Sequence, residues 1–113
     1  MKKEKLIIEI SNPHEHIYLV STTSSKKREP SYRCATYVEN VEGHFILKKE
    51  TLNYRENIFG VTRKPEEADE RLHGAAKDLA QELVNSYSPL FSTEIVDKTE
   101  RGKVNQLEID VKN

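Results

Sequence analysis

Basic side chains are grouped in the first half of the chain, where they could bind an anionic ligand. The candidates are Lys26, Lys27, Arg28, Arg33, Lys48, Lys49 and Arg55. Tyrosine and phenylalanine lie among them, and proteins that bind single-stranded nucleic acid combine basic grooves with aromatic stacking platforms. Aromatic residues are also common in ordinary β-sheets, and the sequence has neither an RRM-type aromatic motif nor a KH-type Gly-x-x-Gly. Nucleic-acid binding is therefore an alternative function and not the first choice.

Two histidines with one residue between them, His14 and His16, form the second group with possible chemistry. In an extended strand both imidazoles would point to one face and could share a divalent metal ion. The neighbouring Asn12-Pro13 favours a turn, and no H-E-x-x-H helix or paired cysteine accompanies the two histidines. A metal-dependent hydrolase that uses His14 and His16 is thus the weakest hypothesis, and we expect no cofactor.

Cys34 and an acidic cluster are the remaining groups that could support catalysis. Arg33 precedes Cys34, and a neighbouring cation can lower the pKa of a thiol, but no spacing ties a histidine and an acid to it. We expect a buried structural cysteine. The acidic cluster follows Pro65 at the predicted start of a helix, where the helix dipole favours negative charge. It consists of Glu66, Glu67, Asp69 and Glu70. No Gly-rich phosphate loop or Gly-x-Ser-x-Gly motif is present, so a non-enzymatic protein is favoured.

Short β-branched and aromatic segments predict the strands that must position these side chains. They lie at residues 6–10, 17–23, 34–38, 45–47, 52–61, 91–96 and 107–111. Gly43 predicts a hairpin turn between the third and fourth strands because a tight turn needs a positive φ. The fifth strand is expected to be bulged near residues 55–57. The last segment, 107–111, alternates apolar and polar residues as a half-buried strand does.

A single amphipathic helix is predicted from Pro65 to about Tyr87. Its apolar residues recur at steps of three or four, as on one face of a helix: Ala68, Leu72, Ala75, Ala76, Leu79, Leu83 and Tyr87. Proline suits the first helical turn, and Ser88-Pro89 predicts the end. Gly74 interrupts the helix and, with Ala75 and Ala76, is expected to form a patch of small residues that lets the helix approach a sheet closely.

These elements predict one α+β domain over residues 1–113. The expected sheet is mostly antiparallel and curved, with the order β-β-β-β-β-α-β-β and the helix packed on it. Residues 1–5 are predicted to be a basic tail and residues 24–32 a mobile basic loop. One helix covers only part of such a sheet, so either the sheet curls around the helix or a partner covers the rest.

Composition limits the function classes further. The chain has 113 residues, of which 33% are charged and 35% hydrophobic, and its formal net charge is -1. No apolar run reaches the ~20 residues that a membrane span needs, and one cysteine cannot form a disulfide within the chain or a multi-cysteine metal site. The first residues lack the apolar run and cleavage site of a signal peptide. We therefore expect a cytoplasmic protein with no membrane partner.

Charge is unevenly distributed along the chain. Residues 1–65 carry 12 basic and 8 acidic side chains, whereas residues 66–100 carry 3 basic and 9 acidic ones. A solvated acidic helix face explains this pattern, and so does a dipolar molecule that binds copies of itself. The first-choice function is a small cytoplasmic non-enzymatic binding or assembly protein that forms a homodimer. Another protein and nucleic acid are the alternative partners.

Overall fold

The computed structural model describes residues 3–24, 31–52 and 54–100, without the side chains of residues 54 and 55. Its elements, in chain order, are β1 Glu4–His14, β2 Ile17–Ser24, β3 Ser31–Val41, β4 His44–Thr51, β5 Tyr54–Thr62, α1 Pro65–Tyr87 and β6 Phe91–Asp97. The α+β class and the five strands before one helix are confirmed. The structure has one strand after the helix where the sequence predicted two. The second of these, at residues 107–111, lies outside the described residues.

The six strands form one mixed sheet in the order β5-β4-β3-β2-β1-β6. The first five strands pair with their sequence neighbours in antiparallel fashion, and β6 pairs with β1 in parallel. The 23-residue helix is about 34 Å long, whereas six strands span about 24 Å. The helix is therefore long enough to carry the chain from one edge of the sheet to the other. This crossover explains why β6 runs parallel to its neighbour.

The tight turn between β3 and β4 contains the predicted glycine. Glu42 and Gly43 have φ values of 50° and 82°, and Val41 pairs with His44 directly across the turn. A two-residue hairpin turn of type I′ needs positive φ at both central residues, because its twist then matches that of the strands. The predicted hairpin with positive φ at Gly43 is confirmed, and its strands extend to Val41 and from His44, closer to the glycine than predicted.

The core lies between α1 and one face of the sheet. The helix buries five residues, of which three are alanines: Ala68, Leu72, Ala76, Leu79 and Ala80. They join a cluster with sheet residues that include Ile8, Tyr18, Val20 and Leu47. The small alanine side chains let the helix backbone lie close to the large sheet residues, so a thin core is still closely packed.

Buried hydrogen bonds connect the helix to the same face of the sheet. The Tyr18 hydroxyl donates to the Asp69 carboxylate at 2.8 Å, and the Thr36 hydroxyl donates to the main-chain carbonyl of Leu72 at 2.9 Å. The Tyr18 ring stacks on His73 with 5.3 Å between the ring centroids. The Asp69 carboxylate thus helps to hold the helix on the sheet.

The end of β6 is fixed to the helix by a hydrogen bond between His73 and Asp97. Their Nε2 and Oδ2 atoms lie 2.9 Å apart. Burial alone would raise the pKa of Asp97, but hydrogen bonds from Thr99 and from the His73 ring outweigh it and lower the pKa below 3.8. The ionised carboxylate is therefore stabilised in the folded state. That stabilisation is present above the unfolded pKa of about 3.9 and is lost as pH falls through the lowered pKa.

The small-residue patch differs from the prediction at one position. Ala76 is fully buried against the sheet and Ala75 is half-buried, but Gly74 lies on the exposed side of α1. A Cβ atom added at Gly74 would meet no atom within 4 Å. Helical periodicity explains the difference, because a residue two positions before a buried one points about 160° away from it. Gly74 therefore makes no packing contribution.

We expect Gly74→Ala to raise the free energy of unfolding by about 0.5–1 kcal/mol, because alanine loses less backbone entropy in a helix and has room here. Urea denaturation followed by circular dichroism measures this change. Gly43→Ala is the matched control, since φ at Gly43 is 82°; it should lower the free energy of unfolding by about 1 kcal/mol. A destabilised Gly74→Ala variant would show that this helix face is covered.

Candidate functional sites

A cleft with a volume of about 420 Å³ lies between the second half of α1 and strands β3, β4 and β5. This volume is within the range of about 300–1,000 Å³ that is usual for small-molecule sites. The strands contribute mainly polar residues and the helix contributes leucines and polar residues. The lining is Arg33, Cys34, Lys49, Thr51, Leu52, Asn57, Leu79, Glu82, Leu83, Ser86 and Tyr87.

A β-bulge turns Arg33 toward this cleft. Val20 pairs with Cys34, but the next residue of β2, Ser21, pairs with Tyr32, so Arg33 is the extra residue of β3. The Arg33 Nε donates to the Thr22 hydroxyl at 3.1 Å. Its guanidinium carbon lies 5.7 Å from the centroid of the Tyr87 ring. These two contacts hold the cation at the mouth of the cleft, against the last turn of the helix.

Lys49 reaches the same cleft through the ordinary alternation of β4. Leu47 is buried under the helix, and residues two apart on a strand share a face, so Lys49 and Thr51 also face α1. Lys49 lies between Thr36 on β3 and Asn57 on β5 in the sheet register. Within residues 3–24, 31–52 and 54–100, neither Lys49 nor Arg33 forms an ion pair with a carboxylate.

The cleft has a positive balance of charge. Glu82 is its single acidic lining residue among those described, against the two cations Arg33 and Lys49. Apolar surface comes from Leu79 and Leu83 of the helix, which lie next to the strand-borne charges. Apolar surface together with a few placed polar groups is typical of small-molecule sites.

Cys34 is at the base of the cleft but is not a reactive thiol. Its side chain is 2% exposed. Burial, and then the negative charge of Glu82, raises the pKa of Cys34 from 9.0 to about 12. The thiol is therefore protonated at neutral pH, and the neighbouring Arg33 does not reverse this. This geometry supports the prediction that Cys34 is a buried structural cysteine.

The opposite face of the sheet, which we call the open face, is covered by no element in the described part of the chain. Apolar residues on five strands lie on it: Ile7, Ile17, Leu19, Ala35, Tyr37, Ile46, Ile58 and Val61. Ile17 pairs with Tyr37, and Val61 pairs with Ile46. Ile58 is 66% exposed and Val61 is 52% exposed. Large neighbouring apolar side chains that are exposed mark an interaction surface more often than a solvated one.

Lys48 lies on the open face, where it is neutralised. It forms ion pairs with Glu39 and, at 2.6 Å, with Glu56. Hydrogen bonds to Glu39 and to Glu56 raise the pKa of Lys48, and the bond to Lys48 is the main cause of a lowered pKa at Glu56. The Lys48 ammonium group is thus paired within the molecule, with Glu39 and Glu56, and does not contribute to a basic surface.

The structure brings together two of the seven basic residues proposed as an anion-binding surface. Arg33 and Lys49 share the cleft, and Lys48 lies on the other face of the sheet. Arg55 belongs to β5, and its side chain is outside the description. The other three, Lys26, Lys27 and Arg28, lie outside the described residues. Tyr87 and Glu82 complete the cleft and were not predicted, although Tyr87 was placed on the apolar stripe of the helix.

The two histidines do not meet the condition for a shared metal ion. His14 is the exposed last residue of β1, and His16 lies in the following turn with φ of 59°, so the segment is not extended. The His16 ring packs against Phe45, with centroids 5.8 Å apart. No set of three or more His, Cys, Asp or Glu residues able to hold a metal ion occurs among the residues described. Asn12 and Pro13, which were predicted to form a turn, lie within β1 beside an irregularity in its pairing with β2, and the turn follows at Glu15 and His16.

No helix in the described part of the chain combines the length and the apolar character needed to cross a membrane. No known protein family matches this chain, and searches of curated proteins and of solved structures found no match either.

Proposed function

We propose that the protein is a non-enzymatic assembly protein that forms a homodimer through the open face of its sheet. The observation that carries this proposal is the pair of exposed apolar residues on β5. Val61 lies beside Ile46 of β4, and Ile58 lies on the same face beside the ion-paired Lys48. Burying such side chains releases about 25 cal/mol per Å² of apolar surface removed from water. A second copy of the chain offers a matching apolar face.

The size of the open face fits a stable dimer. At ordinary strand spacing and rise, a six-stranded sheet with strands of about nine residues presents roughly 700 Å² on one face. A standard protein interface buries about 800 Å² on each partner. Two such faces would pack as the sheets of a β-sandwich do, with their side chains interdigitated.

Charge on the open face also permits contact between copies. At the β1–β6 side, Lys5 pairs with Glu94 at 2.9 Å and Lys98 pairs with Glu9 at 2.8 Å. Lys48 is paired with two carboxylates on the β5 side. Glu50 also lies on this face, so its described residues carry three cations and five carboxylates, a small net negative charge that salt screens when two copies meet.

The edge strand β5 is a poorer contact than the face. Arg71 extends from the helix over Gly60 and donates to the main-chain carbonyls of Phe59 and Val61, at 3.3 and 3.4 Å. Side chains that occupy an edge in this way oppose the addition of another strand. We therefore assign self-association to the face and not to this edge.

Sedimentation velocity of the full chain at about 50 µM tests the proposal. We expect a dimer for the natural sequence and a monomer for the double variant Ile58→Asp, Val61→Asp, with a dissociation constant at least 100-fold higher. Each substitution occurs twice in a homodimer, so four carboxylates replace exposed apolar side chains of the two faces and repel one another, which explains an effect of this size.

Leu90→Asp is the matched control, because Leu90 is also an exposed apolar residue, at 72%, but lies outside the sheet. It should remain a dimer, and circular dichroism should show all variants folded. A natural chain that is monomeric at this concentration would refute the proposal. So would a dimer that the open-face substitutions leave unchanged.

A further inference from the structure

We propose that the cleft between α1 and strands β3–β5 binds a small organic anion, a monocarboxylate with a medium-length alkyl chain. In this assignment Arg33 and Lys49 hold the carboxylate, and the leucines of the helix cover the chain. The proposal does not depend on self-association, because the cleft lies on the helix side of the sheet and the open face lies on the other.

The cations on the strand side select an anion. Arg33 and Lys49 both line the cleft, and no carboxylate in the described part of the chain forms an ion pair with either of them. The Arg33 side chain is already oriented by Thr22 and Tyr87, so little rotamer entropy is lost when a ligand binds. A planar guanidinium suits a carboxylate, since two N–H groups can donate to its two oxygens.

The single acidic residue of the cleft sets the charge of the ligand. With Glu82 also lining it, the site carries two positive charges and one negative charge. A monoanion balances this net charge, whereas a polyphosphate or a nucleic-acid strand would bring further negative charge close to the Glu82 carboxylate. Lys48, which could have extended the basic surface, is on the opposite face. The local balance therefore favours a small monoanion over nucleic acid.

The helix side of the cleft favours a ligand with an apolar chain. Leu79 and Leu83 lie one turn apart on α1 and both line the cleft, and Leu52 lines it from the loop after β4. An alkyl chain laid against these side chains is removed from water and gains about 0.8 kcal/mol for each buried CH₂. A cleft of about 420 Å³ is large enough for a short chain together with its headgroup.

Isothermal titration calorimetry of the full chain with hexanoate, octanoate and 1-octanol tests the two halves separately. We expect affinity to rise about threefold to fourfold for each methylene added between hexanoate and octanoate. We expect 1-octanol to bind at least tenfold more weakly than octanoate, because it lacks the charge that Arg33 and Lys49 recognise.

Variants locate the binding in the cleft. Lys49→Gln should weaken octanoate at least tenfold, and the matched control Lys77→Gln, an exposed lysine of the same protein outside the cleft, should leave the affinity unchanged. Ser86→Trp should abolish binding by filling the cleft while both cations remain. Because Ser86 is exposed, this variant keeps the core intact.

Three results would overturn the inference. The first is no heat of binding for octanoate at millimolar concentration. The second is equal weakening by Lys49→Gln and Lys77→Gln, which would indicate a diffuse charge effect. The third is acetate binding as tightly as octanoate, which would show that the leucines take no part. Sedimentation of Lys49→Gln distinguishes this site from self-association, since the variant should dimerise as the natural chain does.

Discussion

In the folded protein at pH 8, iodoacetamide should alkylate Cys34 about 1,000-fold more slowly than it alkylates an ordinary cysteine. The thiolate is the reactive form, and burial together with the Glu82 charge raises the pKa of Cys34 from 9.0 to about 12. At a pH below both pKa values, a pKa that is higher by about three reduces the thiolate fraction about 1,000-fold. The 2% exposure of the side chain lowers the rate further. Mass spectrometry of quenched samples gives the rate.

A matched exposed thiol shows whether the environment of Cys34 causes the slow reaction. The double variant Cys34→Ala, Ser92→Cys keeps a single cysteine and moves it to an exposed position on β6. This variant should react at the rate of a model thiol, and urea should bring the natural chain to the same rate by unfolding it. Equal rates for the two folded proteins would show an accessible, ionised Cys34 and would reopen its role as a nucleophile.

Elements with strong local signals were predicted well from the sequence. The helix begins at Pro65 and ends at Tyr87, as predicted, because proline punctuates both ends and the apolar residues repeat with a helical period. The hairpin at Gly43 was predicted for a similar reason, since positive φ strongly favours glycine. These features depend on residues that are close together in the sequence.

The position of β6 could not be predicted in the same way. Consecutive strands are usually neighbours in a sheet, yet β6 lies beside β1, at the edge farthest from β5. The length and direction of the helix determine this placement, and a parallel partner leaves no specific local pattern. Strand order is therefore a property of the packed helix and sheet, and sequence periodicity does not contain it.

The cleft was missed because a bulge changes which face a side chain occupies. Simple alternation places Arg33 and Cys34 on opposite faces of β3. The extra residue in the pairing of β3 with β2 lets both line the same cleft. In contrast, alternation places Lys48 and Lys49 on opposite faces of the sheet, so the two do not belong to one basic surface. Side-chain direction, more than residue type, decides which charges act together.

Replacing Leu72 with alanine should lower the free energy of unfolding by about 3 kcal/mol. Leu72 is fully buried in the first half of α1, in the cluster that contains Ile8, Val20 and Leu47. Removing its three outer carbons loses their transfer free energy and leaves a cavity that a closely packed core fills only in part. Urea denaturation followed by circular dichroism at 222 nm measures the change.

Two further substitutions show that the loss comes from packing. Leu72→Met conserves volume and should cost less than about 1.5 kcal/mol, while Leu90→Ala, at a residue that is 72% exposed, should change stability by less than about 0.5 kcal/mol. A Leu72→Ala variant as stable as Leu90→Ala would contradict the packing of α1 on the sheet.

The predicted loss of stability is large for this fold because, among the described residues, one helix covers the whole inner face of the sheet. Three of the five buried residues of this helix are alanines. Leucine at position 72 is therefore one of only two large side chains through which the fully buried part of the helix is attached to the sheet.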